Sequence, residues 1–230
     1  MDDVHSILSE RIDAVRARMV AACAKAGRQP TDVALIGVTK TVSPEVAKIA
    51  FELGLHDLGE SKPQELWKKA AAIPEARWHL IGHLQRNKID RTVPPAALVH
   101  SVDSLRLLEA LDAFGRKRGL PVPVLLEVNC SRDESKGGFQ PEDVPALSDK
   151  LVSLAGIGLQ GFMTMASFFD NPERCRPAFA ELRELRERMR SATGLPLPSL
   201  SMGMSNDFEV ATEEGSTHVR IGTTLFEGVR

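Results

Sequence analysis

Lys40 closes the segment "ALIGVTK" (34–40), a run of small and apolar residues that reads as a strand covered on both faces. A lysine in that setting has a chemical use. Burying its stem disfavours the ammonium form, and the neutral amine is a nucleophile for carbonyl carbon. The bland alternative is a solvated loop lysine, since lysine is seldom buried. Two later segments shift the balance. "GMSND" (203–207) puts Gly203 at a strand end and Ser205 at the start of a helix, and "RIGTT" (220–224) puts Arg220, Gly222 and Thr223 ahead of another. Glycine lets the backbone approach an anion, and helix N-terminal amides with nearby hydroxyls bind it. An anion cup beside an activated lysine describes Schiff-base chemistry on a phosphorylated aldehyde or ketone.

Two kinds of protein do this, a sugar-phosphate aldolase and a holder of pyridoxal phosphate. Arg220, two residues before Gly222 on one strand, shares that glycine's facing and could point at a pyridine nitrogen. A fixed guanidinium there disfavours ring protonation, which suits the second kind; a rim ion pair is the alternative use of Arg220. An aldolase needs a carboxylate and an acid converging on the lysine, and only Glu60 and Asp103, at strand ends, offer themselves. Lys136, in "DESKGGF" (133–139), is a second lysine expected on the same face. It would receive cofactor in transit or pair with Glu134, or else stand in solvent as a loop lysine. His79 and His83 sit four apart in and just after a strand, so they share no helical face and metal ligation is not expected. His79 reads as a packed, hydrogen-bonded barrel residue or as a polar neighbour of the cofactor ring. Trp67 and Trp78 read as packing residues.

These residues need elements to hold them. Eight short apolar runs, at 33–40, 56–61, 77–83, 98–104, 123–130, 159–165, 199–204 and 218–223, alternate with helical patterns at 43–54, 104–119, 141–156, 171–194 and 205–215. The second run is the weakest. Strand and helix alternating through about 200 residues predict a single closed (β/α)8 TIM barrel, with an extra N-terminal helix near residues 3–27. The active face of such a barrel lies at the C-terminal strand ends, often with a phosphate site after strands seven and eight. Strand eight neighbours strand one only if the sheet closes, so the constellation depends on closure. One domain over 1–230 is expected, with residues 1–30 as a helix packed on it.

Lysine plus arginine (29) nearly balance aspartate plus glutamate (31), so no basic field calls for nucleic acid. The short basic tail Arg86–Asn87–Lys88 does not change that. No apolar run suits a membrane span, and the acidic N-terminus lacks a signal peptide's core. Three cysteines without metal spacing fit reduced thiols in the cytoplasm.

The chain resembles the pyridoxal phosphate homeostasis proteins (the YggS/PROSC family), small relatives of the alanine racemase N-terminal barrel. The resemblance runs from about residue 30 to 228 and rests on eight ordered blocks: "VTKT", "GES", "WHLIGHLQRNK", "SVDS", "EVNCSRDESKGGF", "GFMTM", "LSMGMSND" and "STHVRIGTTLFEG". It implies pyridoxal 5'-phosphate held as an aldimine on Lys40, with the phosphate among Ser205, Gly222 and Thr223 and Arg220 near the pyridine nitrogen. It implies a role in buffering the cofactor and in vitamin B6 and amino-acid balance, with apo enzymes as recipients. Ser61 stands where the family usually has asparagine, and so is expected near the ring.

Racemases of this type use a lysine and a tyrosine on opposite faces of the substrate. This chain has no tyrosine and too few residues for a second β-domain of ordinary size. A non-catalytic or weakly active, monomeric carrier is therefore the expectation, with a racemase-like enzyme as the alternative and an aldolase behind it.

Overall fold

The computed structural model describes residues 2–133 and 135–229. Among them, eight parallel strands close in chain order into a barrel: β1 (Ala34–Val38), β2 (Asp57–Glu60), β3 (Arg77–Leu80), β4 (Ala96–Val102), β5 (Val122–Glu127), β6 (Ile157–Met163), β7 (Ser199–Ser201) and β8 (His218–Ile221). β8 pairs with β1 in the register Ala34–His218 and Ile36–Arg220, which completes the ring. The helices are α1 (Asp2–Lys25), α2 (Pro44–Glu52), α3 (Pro63–Ala72), α4 (Ile89–Thr92), α5 (Leu105–Arg118), α6 (Ser148–Ser153), α7 (Arg176–Thr193), α8 (Phe208–Glu213) and α9 (Thr223–Phe226).

Local chemistry explains most of these elements. Ser43 caps α2 by accepting from the Val46 amide at 3.4 Å, and Pro44 fills the first helical position, where its missing N–H costs nothing. Three expectations need correction. β1 ends at Val38, so Lys40 lies two residues past the strand on an exposed turn. The stretch 141–156 opens as a 3-10 turn at Val144–Leu147, where Pro145 removes a donor, and becomes α6 only at Ser148. Ser205 does not start a helix, because α8 begins at Phe208. The weakly patterned second strand is buried at all four positions; polar Asp57 and Glu60 at its ends are tolerated because both are paired.

The apolar core lies between the sheet and the helix ring, with a separate small cluster of Leu98, Leu125 and Met163 in the lumen. α9 is a single turn, so α1 covers the seam, packing on α2, α8 and α9 through Leu8, Ile12, Val15 and Met19. Two arginines on α1, and Arg28 just past its end, bond carbonyls of those neighbours. Arg11 donates to Leu225 and Glu227 at the end of α9 (3.0 and 2.7 Å), Arg28 to Thr212 on α8 (2.6 Å) and Arg16 to Gly54 after α2 (2.8 Å).

Gly203, after β7, has φ +97°, and a Cβ there would lie 2.6 Å from the Ala211 Cβ and 3.0 Å from the Phe208 Cα. Its lack of a side chain seats α8 against the strand end. Gly203→Ala is expected to destabilise the protein by about 2–4 kcal/mol. A thermal melt checks this, with Tm falling by roughly 5–15 °C.

Candidate functional site

A cavity of about 930 Å3 opens at the C-terminal mouth of the barrel, within the usual size range for small-molecule sites. Lys40, Ser61, Lys136, Ser205, Arg220, Gly222 and Thr223 all line it. The sequence scattered these residues over 180 positions, and the closed sheet collects them.

Lys40 is held through the residue before it. Thr39 is fully buried; its amide donates to the Gly59 carbonyl (3.0 Å) and its hydroxyl to Glu60 Oε1 (2.7 Å). Its carbonyl accepts from Lys69 Nζ at 2.6 Å, and the same ammonium meets Glu60 Oε1 at 2.5 Å. Glu60 Oε2 has no hydrogen-bond partner among the described residues. A buried ion pair thus fixes the peptide that carries Lys40, whose own side chain is exposed rather than buried as expected. An ammonium keeps its hydration in the open mouth, so the fixed backbone, not burial of the stem, sets where the amine works. Sequence reasoning missed Lys69. Its signal is position: Leu66, Lys69, Ala70 and Ile73 share the apolar face of α3, and a lysine on such a face needs a buried partner.

On the far side of β1, Ser205 Oγ accepts from the Thr224 amide at 3.2 Å, so the β7 loop is tied to the first turn of α9. Gly222 faces Val38, where a Cβ would lie 3.4 Å from the Val38 Cβ and fill that corner. Gly203 does not line the cavity; its role is the packing described above. Lys136 does, and its Nζ donates to the carbonyls of Met165 (3.3 Å) and Ala166 (3.0 Å), with Asp133 Oδ2 at 3.9 Å. Glu134, its expected partner, lies outside the described residues.

Arg220 is buried at the cavity floor, its Nη1 donating to Ser201 Oγ (2.6 Å) and its Nη2 to the Thr164 carbonyl (3.0 Å). Burial lowers its pKa to about 10, with the Asp207 and Glu127 charges working the other way, so it remains a cation at neutral pH. The alternative use, a rim ion pair, is not what these contacts show. Burial, reinforced by the Asp103 carboxylate, raises the Glu127 pKa.

His79 does not line the cavity. It lies in the lumen below, 2.9 Å from His100 through Nδ1 and 3.0 Å from Asp57 through Nε2, with the His218 ring 6.1 Å away. His79 is thus packed and hydrogen-bonded. Burial holds His100 well below the ordinary histidine range and takes His218 to about 4; the neighbouring imidazoles and the Arg220 cation add to both, and the Asp57 carboxylate works the other way at His218. Burial pushes the Asp57 carboxyl up, but hydrogen bonds from Arg77 and His79 outweigh it and hold it well below the usual carboxylate range. His83 pairs with Asp103 at 2.8 Å on the rim, so neither Asp103 nor Glu60 converges on Lys40 as an aldolase requires. Among the described residues, no group of three or more His, Cys, Asp or Glu is placed to hold a metal. Trp78 and Trp67 are packing residues, their indole N–H groups bonded to Ile73 O and Thr92 Oγ1.

Residues 11–229 match the family model described as alanine racemase, N-terminal domain. The chain is 42% identical to the pyridoxal phosphate homeostasis protein of Aquifex aeolicus, over 94% of this chain and 96% of that one. It is 40% identical to the protein of the same name from Pseudomonas aeruginosa, over 96% and 95%. Among solved structures, PipY of Synechococcus elongatus with PLP bound superposes with a TM-score of 0.83 at 30% identity, covering 95% of this chain and 99% of that one.

Two outcomes follow from the buried charges. Lys69→Met strands the Glu60 carboxylate and is expected to cost about 3–5 kcal/mol, most of it recovered when Glu60→Gln is added; denaturant melts of the single and double variants check this. His218 titrates near 6.5 when unfolded and about 4 when folded, so the unfolded chain binds the extra proton as pH falls between those values. That one residue removes about 3 kcal/mol of stability across the window. Urea melts from pH 7 to 4 should show the loss, and His218→Asn should make it shallower, with the depressed His100 keeping the same sign of slope.

Proposed function

The chain belongs to the alanine racemase N-terminal-domain family, among its pyridoxal phosphate homeostasis proteins, and from that premise we propose that it binds pyridoxal 5'-phosphate at Lys40 and holds it for delivery. The observation that carries this reading is the convergence of Lys40, the Ser205–Gly222–Thr223 corner and Arg220 on one cavity. The donor set fits the group: an amine for the aldehyde, hydroxyls and first-turn amides for the phosphate, and a guanidinium for the ring nitrogen. Pyridoxal phosphate supplies an aldehyde that an amine captures reversibly and a ring that can take up electron density. Among this chain's residues, Lys40 captures, Ser205 and Thr223 orient, and Arg220 keeps a positive charge at the floor. That charge opposes protonation of a ring nitrogen and so weakens the ring as an electron sink. Ser61 is shorter than the asparagine usual at its place and leaves room for a bridging water.

Holding without turnover suits this arrangement. The exposed mouth lets Lys40 exchange its carbonyl partner with solvent or with an apo enzyme, and Lys136 offers a second amine on the same cavity as a relay. We take residues 1–230 as one cofactor-binding unit, a cytoplasmic monomer acting in vitamin B6 and amino-acid balance; the free, buried Cys23, Cys130 and Cys175 support a reducing compartment. No helix among the described residues is long and apolar enough to cross a membrane. A weak racemase-like activity is the second reading, favoured by Lys136 as a second acid or base beside Lys40.

Borohydride reduction of the reconstituted protein, followed by peptide mass mapping, tests the site. A phosphopyridoxyl group on Lys40 is expected, and Lys40→Ala should weaken binding at least about tenfold, a change of 1.4 kcal/mol or more. An unmodified Lys40 overturns the reading. Alanine turnover well above that of free cofactor favours the enzyme reading.

A further inference from the structure

Beneath the cavity floor, the lumen carries a continuous line of polar side chains that cofactor capture leaves without a task. Asp57, His79, His100, Ser201 and Arg220 come from β2, β3, β4, β7 and β8, and none is more than 9% exposed. The contacts run end to end: Asp57 Oδ1 to His79 Nε2 at 3.0 Å, His79 Nδ1 to His100 Nε2 at 2.9 Å, His100 Nδ1 to Ser201 Oγ at 2.8 Å, and Ser201 Oγ to Arg220 Nη1 at 2.6 Å. One end lies at the N-terminal mouth, where Arg77 grips Asp57 through two hydrogen bonds (2.7 and 2.5 Å); the other lies at the cavity.

The two ends assign every proton between them. A guanidinium only donates, so Ser201 Oγ accepts from Arg220 and sends its own hydrogen to His100 Nδ1. His100 then carries its proton on Nε2 and donates to His79 Nδ1, and His79 carries its proton on Nε2 and donates to Asp57. Starting from the other end gives the same answer, because a carboxylate only accepts. The opposite sense would leave Ser201 accepting from both Arg220 and His100, with its hydrogen unmatched among the described residues.

We infer that Asp57, His79, His100 and Ser201 form a one-way hydrogen-bonded strut that fixes the orientation of Arg220 in the cavity from the opposite mouth of the barrel. They are positioning residues, and Asp57 is the lock. An amide in its place can donate as well as accept, which frees both imidazoles to take the other tautomer. The charged or titratable groups facing the strut from other elements are Arg77 on β3, His218 on β8, and Glu127 and Asp207 beside Arg220. The consequence for pyridoxal phosphate rests on the function proposed above; the proton assignment does not.

Long-range 15N–1H correlation spectra of the full-length protein without cofactor read the imidazole tautomers directly. His79 and His100 are both expected as Nε2–H forms in the wild type, and a His100 Nδ1–H form overturns the strut whatever the cofactor does. In protein loaded with pyridoxal phosphate, Asp57→Asn should shift the pH midpoint of the visible absorption band and weaken binding about three- to tenfold, the loss of roughly one hydrogen bond. Asp112→Asn is the control, since that buried carboxylate bonds Arg116 and the Gly156 amide outside the barrel. It should lower Tm and leave band and affinity unchanged. A folded Asp57→Asn protein with wild-type band and affinity also overturns the inference.

Discussion

The pairing of β8 on β1 is the contact on which the rest depends. It sets Arg220 beside Ile36, so Lys40 and the Gly222–Thr223 turn leave the sheet side by side, although about 180 residues separate them in the chain. An open sheet with the same strands would put these groups on opposite edges, and no cavity would join them. The seam is also where the helix ring is thinnest, because α9 is a single turn. α1 makes up the deficit with an apolar stripe and with Arg11 and Arg16, which reach carbonyls at the ends of α9 and α2, and Arg28 just past α1 does the same for α8. The N-terminal helix is therefore part of what closes the barrel rather than an appendage to it.

Charge is buried in this fold at two places. Glu60 and Lys69 sit behind the peptide of Thr39, and Asp57 and Arg220 stand at the two ends of the lumen's polar line. Desolvating such groups is costly, and an apolar replacement of similar volume would often be as stable. What an apolar core cannot do is aim a donor. The Glu60–Lys69 pair holds the backbone from which Lys40 projects, and the polar line keeps a guanidinium directed into the cavity. The pattern suits a site whose chemistry needs groups at fixed places more than it needs the last increment of stability.

An exposed lysine above a fixed cation describes a site built for reversible capture. On the proposed function, the exposed amine is open to incoming carbonyl compounds, and the cation at the floor restrains the electron withdrawal that amino-acid chemistry on such a ring requires. Under the function proposed above, the same two features favour binding and release over turnover.

Much of this was legible in the sequence because it is local or periodic. Apolar runs with short spacing gave the strands, caps and prolines gave helix starts such as that of α2, and glycine and hydroxyl residues after the seventh and eighth runs marked an anion corner. The ordered motif blocks named the cofactor. What the sequence left open depends on contacts between residues far apart. Lys69 stands on the apolar face of α3, but its partner Glu60 is known only once α3 packs against β2, and Gly203 looks like an anion-binding glycine until α8 fills the space where its Cβ would stand. Lys40 seemed to need burial because its neighbours are apolar, yet two residues of turn carry it back to water. His79 could be read as a neighbour of the cofactor or as part of the core. Only the lumen, by bringing five strands to one axis, makes it the middle of a line of protons whose direction is set by the charges at its ends.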